Sequence, residues 1–189
     1  MKLLFKLLSV YTPEFLKKKG LEALYDITAN GLQCSAPALN GEAYEDCLQE
    51  YALFTRERTL QALNEGEDVS ELRKRLFRNS YEYGKKIRNN LNITSQKEVN
   101  RVSKYLYKNI YSDFYGNEHG GISITNCYFS KYYTPNICKV TSALDAGLIS
   151  GLQGGGYLVF SDRITEGASS CKACLLVKEK LPENNETNI

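Results

Sequence analysis

The chain has 189 residues, long enough to bury one sizeable core, and its composition of 42% hydrophobic and 24% charged residues is that of an ordinary globular domain. Its 24 basic and 22 acidic residues are interspersed, which argues against a nucleic-acid-binding surface. No run approaches the roughly 18 continuous apolar residues of a membrane span. Lys6 interrupts the apolar start, which therefore predicts an amphipathic helix and not an export signal.

These features predict a cytoplasmic protein with one domain, residues 1–181, followed by a disordered tail, residues 182–189. In a cytoplasm the six cysteines are expected to be reduced thiols. A small molecule is then the expected partner, and a homo-oligomer is possible.

Apolar residues three and four positions apart predict helices through the first half of the chain. An early helix is expected to begin at Thr12, with Pro13 in its first position. A second helix is predicted roughly from Glu42 to Leu63. Asp68 and Ser95 each precede a glutamate by three residues, the capping-box arrangement, and are expected to open two more helices.

The pattern changes to that of strands after about residue 110. The segments "IYSDFYG" and "GISITNCYF" flank a turn and predict a β-hairpin. A helix is expected from Thr134 to near Gly151, and a second hairpin turns around Gly167. The predicted class is α+β: a helical half of about 1–109 packed on an antiparallel sheet of ββαββ order, about 110–180.

The helix between the two hairpins carries the most informative polar residues. At 100° per residue, Cys138, Ser142 and Asp145 fall together along the edge of its apolar stripe. An acid at the boundary of a core is costly to bury unless it is paired, and Arg163 on the next strand is the natural partner. The two residues are expected either to form a structural salt bridge or to hold a polar ligand together.

Metal and histidine chemistry have little support in the sequence. His119 is the single histidine and lies in a glycine-rich turn, where a solvated role is expected. Cys171 and Cys174 form one CxxC without a second pair of ligands. In a strand these two sulfurs point to opposite faces, and Cys171 belongs to the buried set.

Cys127 ends a predicted strand directly before a loop that contains Tyr132. Loops at strand ends are common places for binding groups. We expect Cys127, Cys138 and Cys171 to meet near Asp145, in a pocket between the helix of Cys138 and the last hairpin. Unreactive buried thiols remain an alternative for all three.

The segments "ISITNCYFSKYY", "NICKVTSALDAGLISGL" and "ITEGASSCKACLL" together resemble the bacterial L-2-amino-thiazoline-4-carboxylic acid hydrolase family. The matching positions are Cys127, Cys138, Asp145, Gly167 and Cys171. The same frame is distantly similar to 4-vinyl-reductase-like ligand-binding domains and to plant carotenoid isomerases. The resemblance covers about a third of the chain, and a proline expected soon after the first cysteine is absent.

The resemblance implies ring-opening hydrolysis of a small cyclic amidine derived from an amino acid. It assigns the nucleophile to Cys138 or Cys127, the acid or base to Asp145 or Glu166, and substrate binding to Arg163, Tyr132 and Ser142. Alternatively, the thiols of Cys127, Cys138 and Cys171 hold a divalent metal that activates water. A non-catalytic ligand-binding or sensor domain, and an isomerase of an apolar substrate, stay open because one fold serves several activities.

Overall fold

The computed structural model describes residues 11–39 and 43–176. The amphipathic helix expected at the start of the chain and the tail expected after residue 181 lie outside these ranges. The elements, in chain order, are α1 (Glu14–Gly31), α2 (Tyr44–Asn64), α3 (Val69–Leu91), α4 (Gln96–Asn109), β1 (Asp113–Gly116), β2 (Gly121–Thr125), α5 (Pro135–Gln153), β3 (Tyr157–Asp162) and β4 (Cys171–Leu176). Two short 3₁₀ helices occupy Tyr128–Lys131 and Ile164–Glu166.

The predicted α+β class is confirmed. The four strands form one antiparallel sheet in the order β1-β2-β4-β3, so that the second hairpin lies beside the first with β4 next to β2. The long helix α5 connects the two hairpins, as the ββαββ order requires. No helix in the two described ranges is long and apolar enough to cross a membrane.

The two predicted capping motifs begin α3 and α4. The backbone N–H of Glu71 donates to Asp68 Oδ1 at 2.9 Å. The backbone N–H of Glu98 donates to Ser95 Oγ at 3.3 Å, and the Glu98 carboxylate accepts the backbone N–H of Ser95 at 3.3 Å. These bonds satisfy backbone donors that the first turn of a helix leaves free, which is why the sequence located both starts correctly.

Two other boundaries differ from the prediction. α1 begins at Glu14 and not at Thr12, because Pro13 has an extended backbone, with ψ of 144°, and stands outside the first turn. α5 continues past Gly151 to Gln153 and ends where Gly154 adopts a left-handed conformation with φ of 87°. The local sequence "GLQGGG" offers several glycines, and only the packing of the helix decides which of them ends it.

α5 lies in the middle of the molecule. Twelve of its 19 residues are buried, more than one face of a surface helix can account for. Ala146 and Ile149 pack in the cluster formed with the sheet, and Val140 and Ala143 pack in the cluster that includes residues of α3. At Gly84 the backbones of α3 and α5 touch, since a Cβ there would collide with the carbonyl oxygen of Leu148.

The alternation predicted for the last strand is present. Cys171, Ala173 and Leu175 are buried, and the residues between them are exposed. The connection from β3 to β4 contains the short 3₁₀ helix and turns at Gly167, whose φ of 94° suits a glycine. Four of the predicted site residues lie on these elements: Cys138 and Asp145 on α5, Arg163 at the start of the connection, and Cys171 at the start of β4.

Candidate functional site

A cavity of about 120 Å³ lies between α5 and the N-terminal helices. Its wall is mostly apolar, and leucines and isoleucines of α1, α4 and α5 form much of it. Five tyrosines also line it: Tyr44, Tyr51, Tyr83, Tyr107 and Tyr133. The remaining polar lining residues are Lys17, Ser80, Asn109, Thr141 and Asp145.

The position of this cavity differs from the predicted one. The sequence placed a pocket between α5 and the last hairpin, but neither β3 nor β4 contributes to the wall. Phe160, Ile164 and Cys171 pack with Ala146 and Ile149 of α5 in the cluster between this helix and the sheet. Among the predicted site residues, Asp145 is the one in the wall of this cavity.

Asp145 is an ionisable group in an apolar setting. Burial raises the pKa of its carboxyl from 3.8 to about 6, although a hydrogen bond from Tyr107 and the positive charge of Arg163 oppose the rise. The Tyr107 hydroxyl donates to Asp145 Oδ1 at 2.5 Å. The residue is half-buried and lines the cavity. The group can therefore exchange a proton near neutral pH.

Two tyrosines of the cavity wall, Tyr51 and Tyr133, lie within electrostatic range of Asp145. Burial raises the pKa of Tyr51 to about 12, and the charge of Asp145 adds to the rise. Burial also raises the pKa of Tyr133, with the same contribution from Asp145. The Tyr51 hydroxyl shares a hydrogen bond of 2.9 Å with Thr28 Oγ1. At physiological pH these phenols are neutral hydrogen-bonding groups.

The three thiols of the predicted site lie within electrostatic reach of Asp145. Burial raises the pKa of Cys127 to about 12, and the negative charge of Asp145 contributes. Burial and the charge of Asp145 also raise the pKa of Cys138 and Cys171, against the positive charge of Arg163 near both thiols and a hydrogen bond from the Ile164 backbone N–H to Cys171 Sγ. All three sulfurs are therefore protonated near neutral pH, which makes them poor nucleophiles.

Arg163 does not bind Asp145 directly in the described structure. Its Nη2 donates to Ser142 Oγ at 3.4 Å, its Nη1 lies 3.8 Å from Glu166 Oε2, and its guanidinium stacks over Phe160 at 5.0 Å. Glu166 in turn pairs with a lysine of α5, Lys139, at 2.7 Å. The salt bridge, one of the two arrangements expected for Asp145 and Arg163, is therefore not formed. The positive charge of Arg163 only reduces the rise in the Asp145 pKa that burial causes.

The remaining predicted residues lie apart from the cavity. The Tyr132 hydroxyl is 3.3 Å from that of Tyr128, outside the cavity wall. His119 is exposed in its turn, as expected. Cys174 is exposed and Cys171 buried, which places the two CxxC sulfurs on opposite faces of β4. In the part of the chain that the structure describes, no three His, Cys, Asp or Glu side chains are grouped to hold a metal ion.

Sequence reasoning missed Tyr107, the direct partner of Asp145, and the cavity residues of α1. Tyr107 is 3% exposed and lies near the end of α4, a helix whose start the sequence predicted. Its pairing with an acid 38 positions away had no local signal. Neither the models of known protein families nor the curated proteins gave a match to this chain.

Proposed function

We propose that the protein binds a small, largely apolar molecule in the cavity between α5 and the N-terminal helices. One observation carries the proposal: an acid whose pKa is raised to about 6, Asp145, faces an apolar cavity lined by tyrosines. A large apolar pocket with a few convergent polar groups is the usual form of a small-molecule site. This is the ligand-binding alternative that the sequence left open.

The size of the cavity limits the ligand. Cavities of roughly 150 Å³ hold a molecule of the size of benzene. A cavity of about 120 Å³ therefore suits a single ring or a short branched chain, with any further part of the molecule extending out. An amine or amidine is the preferred polar group, because a cation beside Asp145 would offset the cost of burying its negative charge.

Benzamidine is a suitable probe, since it combines one ring with an amidinium. We expect it to raise the melting temperature of the wild-type protein near neutral pH, and to do so much less for Asp145→Asn. The exposed residue Asp113 provides the matched control, and Asp113→Asn should respond as the wild type does. Equal stabilisation of the wild type and Asp145→Asn would refute the assignment. Native mass spectrometry of the purified protein would reveal a retained ligand.

Hydrolysis of a cyclic amidine is a second candidate, favoured by the same carboxyl and by the family resemblance. A base with a pKa near the working pH is well suited to proton transfer. In this scheme Asp145 accepts a proton from water as the water oxygen adds to the amidine carbon. The proton then passes to the leaving sulfur or nitrogen as the ring bond breaks. Water is preferred to Cys138 or Cys127 as the nucleophile, because both thiols are protonated.

The second candidate is tested by incubating the protein with 2-amino-thiazoline-4-carboxylate and following ring opening by NMR. Turnover that is lost in Asp145→Asn and kept in Cys138→Ser would support the water mechanism. Loss in Cys138→Ser with retention in Asp145→Asn would reverse the roles. If the substrate binds but is not consumed, the protein is a binding domain and not this hydrolase.

A further inference from the structure

Lys17 is a cationic side chain in the wall of an apolar cavity, without a carboxylate partner among the described residues. Its Nζ lies 5.4 Å from the centre of the Tyr44 ring and 5.6 Å from that of Tyr111. The next residue, Lys18, behaves as a surface lysine and pairs with Glu14 at 3.3 Å. The ring faces hold the Lys17 ammonium in place but do not neutralise it.

Gly20 lies one turn after Lys17 on the same face of α1 and also lines the cavity. A Cβ at this position would meet no atom within 4 Å. Packing therefore does not require a glycine here, although glycine within a helix costs roughly 1 kcal/mol relative to alanine. Gly31 of the same helix differs, because a Cβ there would lie 3.1 Å from the Cα of Leu76.

The surroundings of these two residues place them at the solvent side of the cavity. Lys17 and Gly20 are half-buried, and Tyr111 beside Lys17 is 37% exposed. Leu21, which also lines the cavity, is 1% exposed and Tyr107 is 3% exposed. Lys17 and Gly20 are thus a more accessible part of the cavity wall than Leu21 and Tyr107, the residue that binds Asp145.

We infer that Lys17 and Gly20 form the entrance of the cavity, and that the ligand carries a carboxylate that binds Lys17 while its apolar body passes Gly20. This inference rests on the proposed binding function and adds the class of ligand: an apolar carboxylic acid. An ammonium that pairs with no carboxylate of residues 11–39 and 43–176 can attract such an anion, and the absence of a side chain at Gly20 leaves room for the body. A basic group at the far end of the same molecule would reach Asp145.

Two probes with the same carbon skeleton test the role of Lys17 by isothermal titration calorimetry: the anion 4-phenylbutyrate and the neutral alcohol 4-phenylbutan-1-ol. Lys17→Met should weaken the binding of the acid about tenfold to a hundredfold, the usual size of a hydrogen bond to a charged group, and that of the alcohol less than twofold. The exposed Lys19 gives the control, and Lys19→Met should change neither.

Two substitutions test the role of Gly20. Gly20→Phe fills the entrance and should weaken both probes more than tenfold, whereas Gly20→Ala should keep binding and raise the melting temperature. A Gly20→Phe protein that melts no earlier than the wild type excludes misfolding as the cause of lost binding. Unchanged binding of both probes to Gly20→Phe would show that the ligand does not enter the cavity past Gly20.

The two proposals fail in different ways. If benzamidine still depends on Asp145 but Lys17→Met affects acid and alcohol equally or not at all, the inference about Lys17 is wrong and the binding function stands. If neither benzamidine nor the two phenyl probes bind the wild type, the binding function fails, and the inference with it.

Discussion

Asp145 should reduce the stability of the folded protein above about pH 6, and Asp145→Asn should remove that effect. The pKa of its carboxyl is raised from 3.8 to about 6, chiefly by burial. Between these two pH values the folded state binds more protons than the unfolded state. Stability therefore falls as the pH rises through this window, and the loss is complete above it.

The magnitude follows from the size of the pKa change. One pH unit corresponds to about 1.36 kcal/mol, so the rise from 3.8 to about 6 corresponds to roughly 3 kcal/mol of unfolding free energy. Asparagine does not ionise and is free of this effect, while its Oδ1 can still accept the hydrogen bond from Tyr107. The free-energy advantage of Asp145→Asn over the wild type should therefore grow by roughly 2.4 kcal/mol between about pH 4 and about pH 8, since the unfolded carboxyl is already more than half ionised at pH 4.

Urea unfolding at these two pH values measures the difference. The wild type, Asp145→Asn and a control, Asp26→Asn at an exposed position of α1, would be compared in parallel. The control should follow the wild type at both pH values. If the difference in unfolding free energy between Asp145→Asn and the wild type is the same at both pH values, the carboxyl is not held in an apolar environment. The reasoning about the cavity then fails.

Three further predictions concern the surroundings of Asp145. Tyr107→Phe removes a donor that lowers the Asp145 pKa, so carboxyl NMR should show a pKa above 6, and an unchanged value would contradict this. Gly84→Ala should lower the unfolding free energy by roughly 1–3 kcal/mol, because its Cβ meets the backbone of α5; an unchanged urea midpoint would contradict the close packing. Iodoacetamide should modify exposed Cys174 before Cys138, and the opposite order in peptide mapping would favour a nucleophilic Cys138.

The sequence predicted those features that local chemistry decides. The caps at Asp68 and Ser95 depend on residues three positions apart, and the burial of Cys171 follows from strand alternation. The position of Asp145 at the edge of an apolar stripe also follows from helical periodicity alone. In each case the interacting groups are neighbours in the sequence.

The partner of Asp145 and the position of the cavity depend on contacts between distant elements. Arg163 was the expected partner because β3 follows α5 directly, but packing places Tyr107 of α4 nearer. Ala146 and Ile149 of α5 pack against the sheet, and the cavity described above lies on the side of α5 towards α1. A sequence pattern shows which faces are apolar, whereas the volumes of side chains from several helices determine where a cavity remains.

Two unfavourable free-energy terms coincide at this cavity. The side chains around the cavity of about 120 Å³ lack packing partners on that side. The buried charge of Asp145 costs roughly 3 kcal/mol at neutral pH.

A Cβ at Gly20 would meet no atom within 4 Å, and an asparagine at position 145 would carry no charge to bury. Stability alone would therefore favour replacing both residues. Proteins keep such local costs mainly where function requires them. The coincidence of an open glycine, an unfilled volume and a buried acid therefore argues for a ligand whose binding restores the missing contacts and charge.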